Sequence, residues 1–136
     1  MSENHDKALY EAWVEVLDWL KAYAVERGVR FEWEADFPDY IYRMHRPYDL
    51  PTRVMTVSLS DERGEPFFLA DVSPRHAKLK QISFRVPGGH LHWHAHYEEG
   101  RGLVLGGKIP LTKEKLYQLA DRARHHVDER RVERVS

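Results

Sequence analysis

Residues 81–97 read QISFRVPGGHLHWHAHY, and they carry the clearest strand pattern in the chain. Apolar and polar residues alternate on both sides of Pro87-Gly88-Gly89, as they do along two strands that each bury one face. A two-residue turn at Gly88-Gly89 places the apolar side chains on one face of the pair and the polar ones on the other. The predicted apolar pairs are Phe84–Trp93, Ile82–Ala95 and Val86–Leu91, and the predicted polar pairs are Arg85–His92, Ser83–His94 and Gln81–His96. The stretch therefore predicts an antiparallel hairpin with its apolar face on the core.

Further strands are predicted on both sides of this hairpin. Residues 31–37 alternate between apolar and acidic side chains, and a turn at Pro38-Asp39 leads into a returning strand at 40–45. That register places Trp33 opposite Met44 on the buried face. The remaining predicted strands are 55–59, 67–72 and 103–105. Together these patterns predict a sheet of six or seven strands.

A helix is predicted at each end of the chain. Residues 6–27 repeat apolar side chains every three or four positions, and Gly28 follows as a stop signal. Near the other end Thr112 is predicted to cap a second helix, with Leu111 and Leu116 spaced as a hydrophobic staple. Two terminal helices covering an antiparallel sheet make up an α+β fold.

The length of 136 residues predicts a single domain, residues 1–136. Its charged end, from about residue 129 to 136, is expected to fray. Between the strands, residues 73–78 offer the one mid-chain stretch with room for a short helix of one or two turns.

Composition excludes several classes of protein. The formal net charge of −1 gives no general attraction for nucleic acid, and the absence of cysteine excludes disulfides and thiolate metal sites. The N-terminus has no signal-peptide pattern, and no apolar run is long enough to cross a membrane. We therefore expect a cytoplasmic bacterial protein, and one Asn, two Gln and no Cys fit a thermophile.

The first helix has a wider apolar arc than one sheet face requires. Tyr10 and Val14 widen the arc on one side, and Trp19 and Tyr23 widen it on the other. One interpretation is a helix well covered by the core, and the other is a surface that binds a partner protein. Tyr42 and Arg43 add an aromatic and a guanidinium group, which suit protein interfaces and also base stacking. These six residues form the predicted partner-binding set.

The histidines of residues 90–96 suggest a metal site as an alternative to a solvated strand face. Alternate strand residues lie about 6.6 Å apart, so two neighbouring imidazoles can share one ion with a third ligand. The candidates are His92, His94, His96 and Glu99, and the metals that suit imidazole are Zn, Ni and Cu. Imidazole groups in general titrate near pH 6 to 7, so a pH-sensitive interface is a further hypothesis. No cofactor is expected otherwise, and no catalytic set is found.

Residues 86–107, VPGGHLHWHAHYEEGRGLVLGG, resemble the first motif of the cupin family. His92, His94, Glu99 and Gly106 stand at that motif's spacing, within residues 87–106. The resemblance implies that the first three are metal ligands in a jelly-roll fold.

Residues 102–128, GLVLGGKIPLTKEKLYQLADRARHHVD, resemble the YbjN-like and type III secretion chaperone-like fold. That resemblance implies a non-enzymatic homodimer that binds a segment of a partner protein. The expected function is therefore a small chaperone-like or regulatory protein-binding homodimer. The second choice is a metal-binding cupin-like protein, and the third is a nucleic-acid factor that uses the Arg-rich stretch 122–131.

Overall fold

The computed structural model describes residues 2–39, 52–72 and 80–135. The helices and strands are α1 (Ser2–Arg27), β1 (Arg30–Asp36), β2 (Val54–Ser60), β3 (Pro66–Asp71), β4 (Gln81–Arg85), β5 (His92–Glu98), β6 (Gly102–Leu105), β7 (Ile109–Pro110) and α2 (Lys113–Val135). The seven strands of the described residues form one antiparallel sheet in which each strand pairs with the next along the chain. Two helices flanking such a sheet confirm the predicted α+β class.

The β4–β5 hairpin has the predicted register. Every predicted pair from Arg85–His92 to Gln81–His96 is present. Beyond them the N–H of Val86 donates to the carbonyl oxygen of Leu91 over 3.0 Å. Gly88 has φ +71°, a conformation that favours glycine, so the turn depends on a residue without Cβ. Ile82, Phe84 and Ala95 are buried, and the apolar face lies on the core as expected.

Strand β1 departs from its predicted pattern. It pairs with β2, and the register shifts on both sides of Ala35. Trp33 precedes this irregularity and lies directly opposite the buried Val57, on the same face of the sheet. β1 is an edge strand of the described sheet, so described strands flank Trp33 on one side only. Trp33, predicted to face inward, is 63% exposed, although Phe37 at the end of the strand is buried as predicted.

Two predicted elements lie outside the described residues, and one observed strand was not predicted. The returning strand at 40–45 and the short helix at 73–78 lie outside the described residues. Strand β7, Ile109–Pro110, was missed because a two-residue strand next to Gly106-Gly107 has no alternation to detect.

Helix α1 ends where the sequence predicts but begins earlier, at Ser2 rather than near residue 6. Gly28 has φ +67°, and the N–H of Val29 donates to the carbonyl oxygen of Ala24 over 3.0 Å. This bond satisfies one of the carbonyls left free at the helix end, in the manner of a Schellman motif. Trp13 fixes the helix to the sheet because its indole Nε1–H donates to the carbonyl oxygen of Val54 over 2.7 Å.

Helix α2 begins as predicted. The Thr112 hydroxyl oxygen accepts a bond from the N–H of Lys115 over 3.1 Å, and Leu111 and Leu116 are both buried. The cap and the staple are therefore confirmed. The helix continues to Val135, and the fraying expected from about residue 129 stays a prediction. Arg131 explains part of this extension, since its Nη2 lies 2.9 Å from the buried carboxylate of Asp61.

One core joins the helices and the sheet. α1 contacts β1, α2 contacts β3, and the two helices contact each other. Phe68 stacks on Phe84 with ring centroids 5.7 Å apart and also contacts Trp93 at 6.2 Å. The predicted apolar positions of both helices and the apolar face of β4–β5 meet in this core.

Candidate functional site

The histidine row lies on the polar face of β5, where alternation places it. His92 and His96 are exposed and His94 is partly buried between them. The rings of His92 and His94 meet edge to face with centroids 5.2 Å apart. The row is therefore continuous on one side of the strand, as the sequence predicts.

Hydrogen bonds from β4 hold His94. Its Nδ1 lies 2.9 Å from Nε2 of Gln81 and 3.1 Å from the hydroxyl of Ser83, its partner across the strands. With the Gln81 amide in this orientation, Nδ1 of His94 accepts, so a neutral ring carries its proton on Nε2. A histidine that binds metal through Nε2 needs the opposite tautomer, with Nδ1–H as a donor. His94 is therefore set up as part of a hydrogen-bond network.

The other proposed ligands do not complete a metal site around His94. Nδ1 of His92 donates to the carbonyl oxygen of His90 over 2.9 Å, which leaves Nε2 of a neutral ring as one possible ligand. Glu99 is in the exposed turn that joins β5 to β6. Within residues 2–39, 52–72 and 80–135, no three His, Asp or Glu side chains gather in a way that could hold a metal ion.

A groove of about 690 Å³ runs beside the histidine row. Its lining consists of His92, Trp93, His94, His96 and the β6–β7 turn from Leu105 to Ile109. Ile109 is 48% exposed and adds an apolar side chain to the edge of this groove. We name it the histidine groove.

The structure divides the predicted partner-binding residues into three groups. Tyr10 and Tyr23 are fully buried, so neither is accessible on this chain, and the core interpretation holds for them. Val14 and Trp19 are partly buried and still reach the surface. Tyr42 and Arg43 lie outside the described residues.

Tyr23 has a role inside the chain that its sequence position did not reveal. Its hydroxyl donates to Oδ1 of Asp121 on α2 over 2.6 Å, and Arg27 approaches the same carboxylate at 3.3 Å. Burial raises the pKa of the Tyr23 hydroxyl well above its usual value, and the bond to the Asp121 carboxylate raises it further. The arrangement joins α1 to α2.

A second groove, of about 400 Å³, lies between α1 and the β5–β7 edge of the sheet. We name it the α1 groove. One wall is the helix stripe Ala8, Glu11, Ala12, Glu15 and Trp19, and the other is Tyr97, Arg101, Gly102, Leu103, Pro110 and Leu111. Trp19 belongs to the predicted partner-binding set, whereas the strand wall was missed. The sequence feature that could have indicated this groove is the pair of small residues Ala8 and Ala12, one helical turn apart on the same side of α1 as Trp19.

Of the described helices, neither α1 nor α2 contains a stretch that is both long and apolar enough to cross a membrane.

Comparison with known proteins identifies relatives over nearly the whole chain. A family model described as NADH-quinone oxidoreductase chain 15 matches residues 4–127. The protein named NADH-quinone oxidoreductase subunit 15 from Thermus thermophilus is 68% identical over 124 residues. That alignment covers 91% of this chain and 95% of the relative.

These matches correct the family and the function expected from the sequence. The resemblance to the YbjN-like and secretion chaperone-like fold is wrong, because it rested on a generic strand–cap–helix pattern at 102–128. The cupin-like alternative is wrong as well, since the described strands form a single meander rather than a jelly roll. The expected chaperone-like homodimer and the expected nucleic-acid factor are wrong too, because the relative is named as a subunit of an oxidoreductase.

Proposed function

Because the chain belongs to the NADH-quinone oxidoreductase chain 15 family, we propose that it is a subunit of an NADH-quinone oxidoreductase, bound there by other subunits. The observation that carries the proposal is the 68% identity, which extends over 95% of the relative's length. A match of this extent covers the surfaces as well as the core. The two chains therefore share many of the residues with which a subunit would contact its neighbours.

We propose further that the chain contributes binding rather than electron transfer. Iron–sulfur clusters in redox proteins are held mainly by cysteine thiolates, and this chain has no cysteine. The imidazoles of the histidine row are possible metal ligands. One of them, His94, is hydrogen-bonded through Nδ1 to Gln81 and Ser83. The subunit's role in this proposal is to occupy a place in the assembly, on its cytoplasmic side.

The surface supports such a role. Trp33 is 63% exposed, Ile109 is 48% exposed, and the α1 groove brings two partly buried aromatic rings, Trp19 and Tyr97, to the surface. Exposed aromatic and aliphatic side chains of this kind are typical of the centres of protein interfaces.

Purification through a tag on this chain tests the proposal. We expect the tagged chain, extracted under mild conditions from the cells that produce it, to bring down NADH-quinone oxidoreductase activity and the other subunits in constant ratio. An untagged strain serves as the control. Recovery of the chain alone, with no oxidoreductase activity above that control, would contradict the proposal.

A further inference from the structure

We infer that the α1 groove is the docking site for a segment of another subunit, and that this segment carries a bulky apolar side chain flanked by Lys or Arg. The inference rests on the proposed function and adds to it the place of contact and the chemistry of the partner. Three features of the groove carry it: its floor, its small helix residues and its charge.

The floor of the groove is aromatic and apolar, yet it is incompletely covered. Trp19 from α1 and Tyr97 from β5 are both partly buried, and Leu103 lies directly across from Tyr97 in the sheet. Aromatic rings that the chain itself half covers offer a large area for a partner to bury. The floor therefore suits one apolar anchor residue of the partner.

Small side chains leave the space for that anchor. Ala8 and Ala12 lie one turn apart on α1 and line the groove opposite the strand wall. A volume of about 400 Å³ is within the common range of about 300–1,000 Å³ for binding pockets. The groove is thus large enough for an inserted side chain, and it keeps its opening because the helix has no long residue at these two positions.

The charge of the rim selects a basic partner. Glu11 and Glu15 lie one helical turn apart, both are exposed, and both line the groove. Neither forms an ion pair with another described residue. Across the groove the guanidinium of Arg101 is already paired with Glu98 at 3.3 Å, so it does not neutralise the helix carboxylates. The rim is therefore acidic, and electrostatic complementarity requires Lys or Arg beside the anchor of the partner.

The flanking charges along α1 agree with this assignment. Asp18 continues the exposed acidic side for one more turn, while Lys7 and Lys21 lie beyond its two ends. The acidic stretch thus spans about two helical turns, from Glu11 to Asp18, next to the floor of the groove. A docked segment would contact the two carboxylates that line the groove, Glu11 and Glu15, with Asp18 beside them.

Reconstitution with the oxidoreductase tests the inference. The wild-type chain and the Glu11→Lys/Glu15→Lys variant are added to NADH-quinone oxidoreductase purified from a strain that lacks this chain. We expect the double variant to bind with a Kd raised about tenfold or more, because each reversed rim charge repels a basic segment. The matched control Glu114→Lys/Glu129→Lys makes the same change of net charge on α2 and should bind like the wild type. Thermal unfolding of each variant verifies that it is folded.

A second measurement examines the anchor and the identity of the partner. A photo-crosslinking amino acid at position 18, which is exposed beside the groove and outside its lining, should join the chain to a peptide of another subunit with Lys or Arg beside a large apolar residue. Ala12→Trp should weaken binding by filling the groove. If the wild type binds and both groove variants bind equally well, or if the crosslinked peptide is acidic, the docking site is overturned. If the wild type itself does not bind, the proposed function fails as well.

Discussion

Helices α1 and α2 both cover the core, but they are held by different kinds of contact. α1 buries large side chains, among them Tyr10, Trp13 and Tyr23. Among residues 113–131 of α2, the buried ones are Leu116, Leu119, Ala120, Ala123 and Val127, and two of these five are alanines. α2 compensates with polar contacts near the middle and the end of its length, through Asp121 and Arg131.

α1 therefore contributes mainly to the stability of the fold, whereas the polar contacts of α2 fix the position of that helix. Aromatic side chains bury about 150–250 Å² each, so α1 stabilises the fold mainly through apolar burial. Hydrogen bonds and ion pairs contribute less free energy per contact, but they require a specific geometry. We therefore expect substitutions in α1 to lower the free energy of unfolding most, and substitutions at the polar contacts of α2 to have smaller, pH-dependent effects.

The largest effect is expected for Trp13→Ala on α1. This substitution removes a fully buried indole and leaves the carbonyl of Val54 without its donor. The free energy of unfolding should fall by about 3–5 kcal/mol, measured by urea denaturation. Trp33→Ala is the matched control, because Trp33 is 63% exposed and its loss should change stability by less than about 0.5 kcal/mol. Equal effects of the two substitutions would contradict the comparison.

The next effect is expected for Asp61→Asn, which breaks the contact that fixes the end of α2. Oδ1 of Asp61 accepts the backbone N–H groups of Arg63 and Glu65, at 2.9 and 3.0 Å, and Oδ2 faces Arg131. The asparagine can still accept from the turn but loses its charge, so we expect a loss of about 1–3 kcal/mol. Replacing Arg131 by Met as well should add to this loss, because it also removes the ion pair between Arg131 and Glu65 at 2.5 Å.

The stability that Asp61 contributes should depend on pH in a definite direction. Burial alone would raise the pKa of this carboxyl, but the Arg131 guanidinium and the two N–H donors outweigh burial and hold it below its usual value. The contribution is therefore complete above the unfolded pKa of about 3.9 and is lost as the pH falls through the lower folded pKa. Asp61→Asn should flatten the acid part of the stability curve, whereas Asp18→Asn, on the exposed side of α1, should leave it unchanged. A wild-type curve with the slope of the Asp61→Asn curve below about pH 4 would refute this assignment.

Local patterns in the sequence were enough to predict much of the fold. The β4–β5 register follows from alternation and a glycine turn within one short stretch, and the start of α2 follows from Thr112 and its staple. The helix contacts could not be found in this way. Asp61 and Arg131 are 70 residues apart, and nothing in either local sequence indicates the pairing.

The predicted partner-binding set shares only Trp19 with the α1 groove, because local sequence patterns do not show which distant residues come together. Trp19 stands out on α1, but the second wall of the α1 groove comes from strands, and its position depends on how the whole sheet packs. Tyr10 and Tyr23 were predicted as partner-binding residues but are buried in the core. The sequence could not distinguish the two, because an apolar arc has the same pattern whether a partner or the chain's own core covers it. The histidine row was placed correctly on its strand face, yet spacing alone could not reveal that Gln81 and Ser83 bond to His94.

The smallest effect is expected for Tyr23→Phe, which tests the polar contact between the two helices. The buried ring stays in place, and only its bond to Asp121 is lost. Asp121 is about half exposed and keeps Arg27 as a partner at 3.3 Å, so its carboxylate is not left without a partner. We therefore expect a loss of about 0.5–1.5 kcal/mol in the free energy of unfolding. Tyr117→Phe is the matched control, because that hydroxyl bonds to Glu26 at an exposed site, where such a bond contributes less.

Alkaline unfolding distinguishes this bond from simple packing of the ring. The folded pKa of Tyr23 lies above the unfolded value of about 10, so on raising the pH the unfolded chain loses this proton first. The stability due to the bond is therefore complete below about pH 10 and declines above it. Tyr117 follows the same direction, with its pKa raised to about 12 by burial and by the bond to Glu26. Tyr23→Phe should reduce the decline above about pH 10, and if it leaves that decline unchanged, the hydroxyl contributes no link between α1 and α2.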